Sequence, residues 1–116
     1  MKSKPTKPQR MTVKQFFEAI KNLDETIYQI QTTKKFKKSL DLSYRRNLDL
    51  ELLKEVIHKL SKGEQLDPKH HVHSLEGYKI KVMECHVKPD WLLLWHQKEN
   101  ELILILLDTG THSDIF

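Results

Sequence analysis

The stretch YKIKVMECHVKPDWLLLWHQKENELILILL (residues 78–107) contains the pattern that decides the fold. Three runs of strand-forming residues, 78–85, 91–96 and 102–107, follow one another with short polar connections. The first run alternates apolar residues with lysines, which is typical of a strand with one solvated face, whereas the other two are apolar on both faces, as covered central strands are. The segment therefore predicts consecutive sheet strands, with residues 97–101 as the hairpin loop between the last two.

The residues before this segment predict two helices and one further strand. Residues 28–32 alternate as a short strand does. Apolar residues then recur every four positions in 34–46 and at helical spacing from Asp49 towards Gly63, which is typical of an antiparallel helix pair. A loop containing proline and histidines is expected over 66–77. The predicted fold is α+β, with two helices packed on a mostly antiparallel sheet of about four strands.

The N-terminal residues divide into a tail and a helical extension. Residues 1–10 contain two prolines and four basic residues and are expected to be a flexible basic tail. In the extension, residues 11–27, Thr12 and Gln15 form a capping-box pattern, and apolar residues then repeat at helical spacing. An extra amphipathic helix is therefore predicted over about 12–23.

Composition limits the class of protein. A chain of 116 residues is long enough for one compact domain and too short for two. The longest apolar run, Leu102 to Leu107, is far shorter than a membrane-spanning helix, and the first residues lack the apolar core of a signal peptide. Cys85 has no second cysteine with which to form an internal disulfide, which fits a reducing compartment. We therefore expect a cytoplasmic protein.

The positive charge of the chain is unevenly distributed. The net charge is +4, but residues 1–10 carry four of the 20 basic residues and no acid, and the remaining chain has equal numbers of both signs. Within that remainder, the predicted helix at 34–46 concentrates basic residues around a single acid, Asp41. Such a patch is either a surface for an anionic partner or a solvated helix face. Its members are Lys34, Lys35, Lys37, Lys38, Arg45 and Arg46.

Seven histidines are many for a chain of this length, and most lie beside predicted turns. Three interpretations stand at this point: an acid–base site with Asp90 as carboxylate partner, a metal site, or ordinary surface histidines. The metal interpretation lacks a recognised spacing such as CxxC or HExxH. The possible ligands are His70, His71, His73, Cys85, His86 and His112.

Three separate motifs resemble one known family, the YafQ-type branch of the RelE/ParE toxin superfamily. They are HVKPDWLLL at 86–94, LDP at 66–68 followed by HSLEG at 73–77, and TGTHSDIF at 109–116. The resemblance runs in the family's order from about Tyr28 to Phe116, so that residues 28–116 are expected to form the toxin domain. The lysine-rich segment KKFKK at 34–38 also resembles the family pattern.

The resemblance implies the toxin of a bacterial type II toxin–antitoxin system, neutralised by an antitoxin of the RelB/DinJ kind. It also implies a ribosome-dependent endonuclease in which an mRNA 2′-hydroxyl attacks the adjacent phosphate, with no metal and no cofactor. The alternative is a non-catalytic or degenerate RelE/ParE-like module that acts by binding a protein or ribosome target. The extension at 11–27 has three expected fates: packing on the domain's own groove, self-association, or occupying the place of an antitoxin helix.

The family's functional positions map onto named residues of this chain. His112 corresponds to the main acid–base group, His86 and Asp90 to a second acid–base pair, and His73 to a residue that contacts phosphate or shuttles a proton. The implied substrate-binding residues are Trp91, Phe116, Lys79, Lys81 and Lys88. The implied rRNA-binding residues are the six basic residues of the 34–46 segment.

Two positions depart from the family pattern. Met83 and Asp108 stand where many members have a basic residue, so lysines or protonated histidines must stabilise the developing negative charge, and activity is expected to be reduced. The phase of the strand also places His86 on the same side as Ile80 and Val82. Because that side would otherwise bury His86, we expect a bulge or a strand end near Glu84.

Overall fold

The computed structural model describes residues 10–116, which form a five-stranded sheet and four α-helices. The strand order is β1-β5-β4-β3-β2; β1 runs parallel to β5, and the other neighbours are antiparallel. The α+β class and the mostly antiparallel sheet are therefore confirmed. The strands are β1 (Gln29–Thr32), β2 (His73–Leu75), β3 (Val82–Lys88), β4 (Trp91–Lys98) and β5 (Ile103–Gly110). The helices are α1 (Val13–Lys21), α2 (Lys34–Arg45), α3 (Leu50–Ser61) and α4 (His112–Ile115), and a 3₁₀ turn covers Pro68–His70.

The helix boundaries follow local capping chemistry. The Thr12 side chain accepts from the Gln15 amide, and the Gln15 side chain accepts from the Thr12 amide, so the predicted capping box starts α1. The side chains of Thr33 and Asp49 accept amide hydrogen bonds at the starts of α2 and α3. Gly63 follows α3 with φ of +76°, a conformation that favours glycine. The three predicted helices are confirmed.

One predicted strand was wrong in position, and one strand was not predicted. The strand predicted over 78–85 begins at Val82 and extends to Lys88, because residues 78–81 form an exposed connection. Part of the predicted loop, His73–Leu75, is instead the edge strand β2, paired with 82–84 of β3. Three residues are too few to show a period of two, so hydrogen bonding to β3, rather than local pattern, determines this strand.

One face of the sheet is covered by α2 and α3, which pack on β5 and β3 respectively. Side chains alternate between the two faces along each strand, and those that face the helices form a single apolar core with them. Its strand residues are Cys85, Val87, Trp91, Leu93, Trp95, Leu104 and Leu106. We call this side the covered face.

The opposite side of the sheet, which we call the open face, has a much smaller apolar cluster. Val82, Leu92 and Leu94 are buried there. Partly buried apolar residues pack around them: Leu75, Leu107 and Ile115. The open face therefore keeps polar side chains beside a small apolar centre.

The helical extension belongs to the same core as the rest of the domain. Phe16 is fully buried, and its ring centroid lies 6.3 Å from that of Phe36 in α2. The His58 Nε2 lies 2.7 Å from the Asp24 carbonyl, which joins α3 to the segment after α1. Of the three fates considered, the structure places α1 against the domain's own helices α2 and α3.

The predicted basic tail lies outside the described residues, except for its last member. Arg10 donates to the Tyr44 carbonyl at 2.6 Å, and its guanidinium lies 4.0 Å from the centroid of the Tyr44 ring. Arg10 thus packs on the end of α2. Among residues 10–116, no helix has the length and apolar character needed to cross a bilayer.

Candidate functional site

The open face brings together the histidines that the sequence places far apart. His73 of β2 pairs with Glu84 of β3, and His86 lies one pleat further along the same side of β3. His86, Leu92 and Gly110 then form one row across β3, β4 and β5. Because neighbouring strands are about 4.8 Å apart, the start of the C-terminal segment lies about 10 Å from His86. The candidate site is the part of the open face around this row, where β3 ends, β4 begins and β5 ends.

His86 is half-buried and held in one tautomer. Its Nδ1 lies 3.1 Å from the Pro89 carbonyl oxygen, which can only accept, so Nδ1 carries the proton and donates. In the neutral imidazole the lone pair then lies on Nε2, which makes no hydrogen bond within residues 10–116. The β-bulge follows His86, before Lys88, and is not near Glu84 as predicted. His86 stays accessible because the helices cover the other face.

Asp90 lies at the tip of the β3–β4 turn and is exposed. It was predicted to be the carboxylate partner of His86. In the structure, the His86 imidazole instead donates to the Pro89 backbone. Among the described residues Asp90 makes no hydrogen bond to His86, and it lies exposed in the turn.

His71 is a neighbour of His86 that the sequence interpretation did not assign. The two rings are 5.7 Å apart and nearly perpendicular. A cavity of about 490 Å³ lies beside them, and Lys69, Lys88 and Pro89 also line it. Three imidazoles, because His70 also lines the cavity, and two ammonium groups favour an anionic group such as phosphate. The sequence could have indicated His71 as a site residue, because it lies in the same histidine-containing loop as His73.

His73 makes two polar contacts through its ring. Nε2 lies 2.9 Å from Glu84 Oε1, and Nδ1 lies 2.7 Å from the His71 carbonyl oxygen. The Glu84 carboxylate is buried, whereas the His73 side chain is 46% exposed. The sequence does not predict the contact between Glu84 and His73, because that contact depends on the register of β2 against β3.

The C-terminal segment folds back onto the open face as helix α4. Thr111 and Asp114 form a capping box, and the Arg46 guanidinium lies 2.7 Å from Asp114 Oδ2. The Thr111 backbone amide, and then the Arg46 side chain, hold the pKa of Asp114 below its usual value. Gly110 allows this close approach, because a Cβ there would lie 3.0 Å from Asp114 Oδ2. Arg46 thus fixes the segment that carries His112.

Ile115, rather than Phe116, attaches this segment to the sheet. Ile115 packs against the open-face cluster, whereas Phe116 is 56% exposed. The Phe116 ring lies 5.0 Å from the exposed His112 ring. The exposed Phe116 ring therefore lies at the surface beside His112.

Trp91 does not lie at the site surface. It is 1% exposed on the covered face, and its Nε1–H donates to Thr109 Oγ1 at 2.9 Å. The Thr109 hydroxyl in turn donates to the Leu92 carbonyl. This burial corrects the expectation that Trp91 binds substrate: it joins β4 to β5 from beneath the site.

The three lysines expected at the substrate are separated. Lys79 lines an apolar cavity of about 350 Å³ on the open face, and Lys88 lies beside His86. Lys81 lines a different cavity together with Met83 and Trp95, on the side of the covered face. Lys81 is therefore placed on the side of the covered face, away from the candidate site.

The two departures from the family pattern have structural roles. The Asp108 carboxylate is buried, accepts from the Thr109 amide at 2.9 Å and from the Ser39 hydroxyl, and lies 3.4 Å from Lys35 Nζ. It thus joins α2 to β5. The Met83 side chain packs in the main core and does not reach the open face.

The six basic residues of α2 and its C-cap differ in their contacts. Lys35 and Arg46 pair with Asp108 and Asp114 on the side that faces the C-terminal segment. The Lys37 ammonium lies 6.0 Å from the Phe17 ring. Three exposed residues at helical spacing make no ion pair within the described part of the chain: Lys34, Lys38 and Arg45. These three form what we call the basic stripe.

Cys85 lies in the main core, where burial, and then the charge of Glu84, raise the pKa of its thiol to about 12. A protonated, inaccessible thiol is neither a nucleophile nor a ligand. In residues 10–116, no three His, Cys, Asp or Glu side chains are grouped closely enough to hold a metal ion.

The five-stranded α+β architecture, with a C-terminal helix folded over an imidazole-bearing open face, places the protein in the RelE-like class of toxins. Residues 28–116 match the family model described as the bacterial toxin of type II toxin–antitoxin systems, YafQ. The chain belongs to this YafQ toxin family.

Solved structures agree with this assignment. The metal-bound toxin from Helicobacter pylori is 39% identical, with a TM-score of 0.73 over 77% of this chain and 99% of that one. The toxin in the Escherichia coli DinJ–YafQ complex is 27% identical, with a TM-score of 0.71 over 78% and 98%. YafQ from E. coli strain BL21(DE3) is 26% identical, with a TM-score of 0.70 over 77% and 98%. Comparison with curated proteins found no significant match.

Proposed function

We propose that this toxin is a ribosome-dependent endoribonuclease that cleaves mRNA by acid–base catalysis and acts in the bacterial cytoplasm. The observation that carries the proposal is the free Nε2 of His86 on the same open face as the exposed imidazole of His112. His86 would accept a proton through Nε2. His112 lies in α4, which follows Gly110 at the end of the same row of paired residues. Cleavage of RNA through its 2′-hydroxyl requires one such base and one such acid.

In the proposed reaction, Nε2 of His86 removes the proton of the 2′-hydroxyl as that oxygen attacks the adjacent phosphorus. The bond from phosphorus to the 5′-oxygen breaks, and His112 gives that oxygen a proton. The products are a 2′,3′-cyclic phosphate and a 5′-hydroxyl end. Lys88, beside His86, and Lys79, on the open face, stabilise the charge on the phosphorane, while Phe116 stacks on a base.

The ribosome contact is assigned to the basic stripe of α2. Lys34, Lys38 and Arg45 are exposed and make no ion pair in the part of the chain that the structure describes. Ammonium and guanidinium groups along one helix side suit contacts to rRNA phosphates, which position a protein without reading sequence. The ribosome would then present the mRNA to the open face.

The inhibitory partner is proposed to be an antitoxin of the DinJ kind. A structural relative of this chain is YafQ in a complex with DinJ. The open face here has an apolar cavity bordered by the exposed Tyr78 and Ile80, next to lysines. A segment with apolar anchors and acidic residues would complement it and cover the histidines.

Induced expression tests the proposed function. We expect growth arrest by the parent chain and its loss in His112→Ala, with His58→Gln as the control, because His58 lies on α3 away from the open face. The 5′ ends of mRNA in arrested cells are expected to fall in register with codons. Equal arrest by His112→Ala would contradict the catalytic assignment. Arrest with no mRNA cuts, or with cuts out of register, would favour the binding-module alternative.

A further inference from the structure

All three arginines of the chain lie at the C-terminal end of α2, although one of them is distant in sequence. Arg45 is the last residue of α2, and Arg46 is its C-cap. Arg10 reaches the same end of the helix, because its Nη2 donates to the Tyr44 carbonyl oxygen at 2.6 Å. All three arginines are exposed. The fold therefore gathers three guanidinium groups at one end of a surface helix.

Arg10 is held in place but keeps most of its binding capacity. Its guanidinium also lies 4.0 Å from the centroid of the Tyr44 ring, a distance at which a cation and an aromatic ring attract each other. Of the five N–H groups of a guanidinium, the contact with the Tyr44 carbonyl uses one. A side chain that is already held loses less conformational entropy on binding than a free one. Arg10 is thus a pre-positioned donor for an anion such as a phosphate group.

The positive charge at this end of α2 exceeds the negative charge. Arg46 pairs with Asp114 of α4, whereas Arg10 and Arg45 make no ion pair among the described residues. Asp41, one turn before Arg45, is the one acid of α2, and it makes no ion pair within the described part of the chain either. An excess of guanidinium groups over carboxylates attracts anions such as phosphate.

Arg10 lies outside the part of the chain that matches the toxin family, which begins at residue 28. It nevertheless continues the basic stripe, because the Tyr44 on which it rests immediately precedes Arg45, the last member of the stripe. The segment that leads into Arg10 lies outside the described residues and contains three lysines and no acid. The extension of the toxin domain thus adds a cation to the surface that α2 presents.

We propose that Arg10 is an RNA-binding residue that extends the basic stripe beyond the end of α2 and contacts a phosphate of rRNA. The inference rests on the proposed contact between the basic stripe and the ribosome. A guanidinium binds phosphate through parallel N–H···O bonds and reads no sequence there, so Arg10 adds affinity without adding codon preference. Since mRNA carries the same phosphates, binding to each RNA is measured separately.

Binding of the purified full chain to ribosomes without mRNA, over a range of salt concentrations, tests the proposal. Each phosphate contact releases counterions, so the loss of one contact makes affinity less dependent on salt. In Arg10→Gln we expect weaker binding and a slope of log affinity against log salt that is smaller by about one. Arg10→Lys keeps the charge and should keep the slope of the parent. Lys98→Gln, in the hairpin before β5, loses the same charge far from α4 and should bind as the parent does.

Three results would overturn the role of Arg10 alone: an unchanged slope in Arg10→Gln, a reduced slope in Arg10→Lys, or an equal reduction in Lys98→Gln. A reduction seen with free mRNA but not with ribosomes would also overturn it, because the phosphate would then belong to mRNA. A parent chain that does not bind ribosomes would refute the proposed ribosome contact together with this role. A parent chain that binds but does not cleave would refute the proposed catalysis, while the slopes would still decide the role of Arg10.

Discussion

The two faces of the sheet use the same strands for different purposes. On the covered face, Trp91, Leu93 and Trp95 of β4 are buried under α2 and α3 in one continuous core. On the open face, the alternate residues Leu92 and Leu94 belong to a cluster of three buried side chains. Around that cluster are the polar groups of the candidate site. β4, which is apolar on both faces, thus contributes to the large core on one side and to the small apolar cluster beside the candidate site on the other.

The difference shows how a small domain can hold reactive side chains. The polar groups of the open face are fixed by local contacts: Pro89 orients His86, Glu84 holds His73, and Arg46 holds the segment of His112. None of the side chains that make these contacts belongs to the main core. Stability and activity should therefore respond to different substitutions.

The largest expected effect concerns neighbours on β4. Leu93→Ala removes a fully buried side chain from the main core, and we expect the free energy of unfolding to fall by about 4 kcal/mol. Leu94→Ala, on the open face, should cost about 2 kcal/mol, since its small cluster can relax. Chemical denaturation measures both. Equal losses would show that the open-face cluster is as tightly packed as the core.

The next effect concerns the attachment of α4. Arg46→Ala removes the ion pair with Asp114, and hydrogen exchange of the Ile115 and Phe116 amides should become faster by up to about fivefold, the equivalent of ~1 kcal/mol for a partly exposed pair. Arg45→Ala is the matched control, because Arg45 lies in the exposed basic stripe. Faster exchange in both variants would contradict a specific role for Arg46.

The same attachment predicts a pH dependence. Because folding lowers the pKa of Asp114, the stabilisation is fully present above the pKa of the unfolded state and is lost as pH falls through the lower, folded value. Exchange of the α4 amides, corrected for intrinsic rates, should thus be constant near neutrality and increase in acid, below pH 3.8. Asp114→Asn should abolish this acid dependence. If the variant kept it, another group would be responsible.

The smallest effect is expected at Cys85. Its thiol is buried and has a raised pKa, so an alkylating reagent should leave the folded protein unmodified at neutral pH and modify it after unfolding. Cys85→Ala should retain cleavage activity. Rapid labelling of the folded protein would show that the covered face opens far more often than its packing indicates.

The sequence predicts features that depend on neighbouring residues. The capping box at Thr12, the stripe of α2 and the stop at Gly63 are local, and each lies where the pattern places it. The resemblance also expects the histidines on the side of the sheet away from the helices, and His86 and the α4 segment that carries His112 lie on that face. Local pattern therefore accounts for the helices, and the motifs indicate which residues to consider at the site.

Contacts between distant residues were not predictable in this way. The pairing of Glu84 with His73 requires the register of β2, a strand too short to recognise. The contact between Arg46 and Asp114 joins residues 68 positions apart. In each case a residue's role follows from tertiary packing, which no local pattern records.

The central claim is that the open face is an mRNA-cleaving site that works on the ribosome. The most direct test incubates the purified protein with mRNA bound to ribosomes, and separately with the same mRNA alone, and then analyses the new ends. The account predicts 5′-hydroxyl and 2′,3′-cyclic phosphate ends on ribosomes alone, with cleavage at least about 100-fold slower in His112→Ala. Equal cleavage of free mRNA, or undiminished cleavage by His112→Ala, would contradict it.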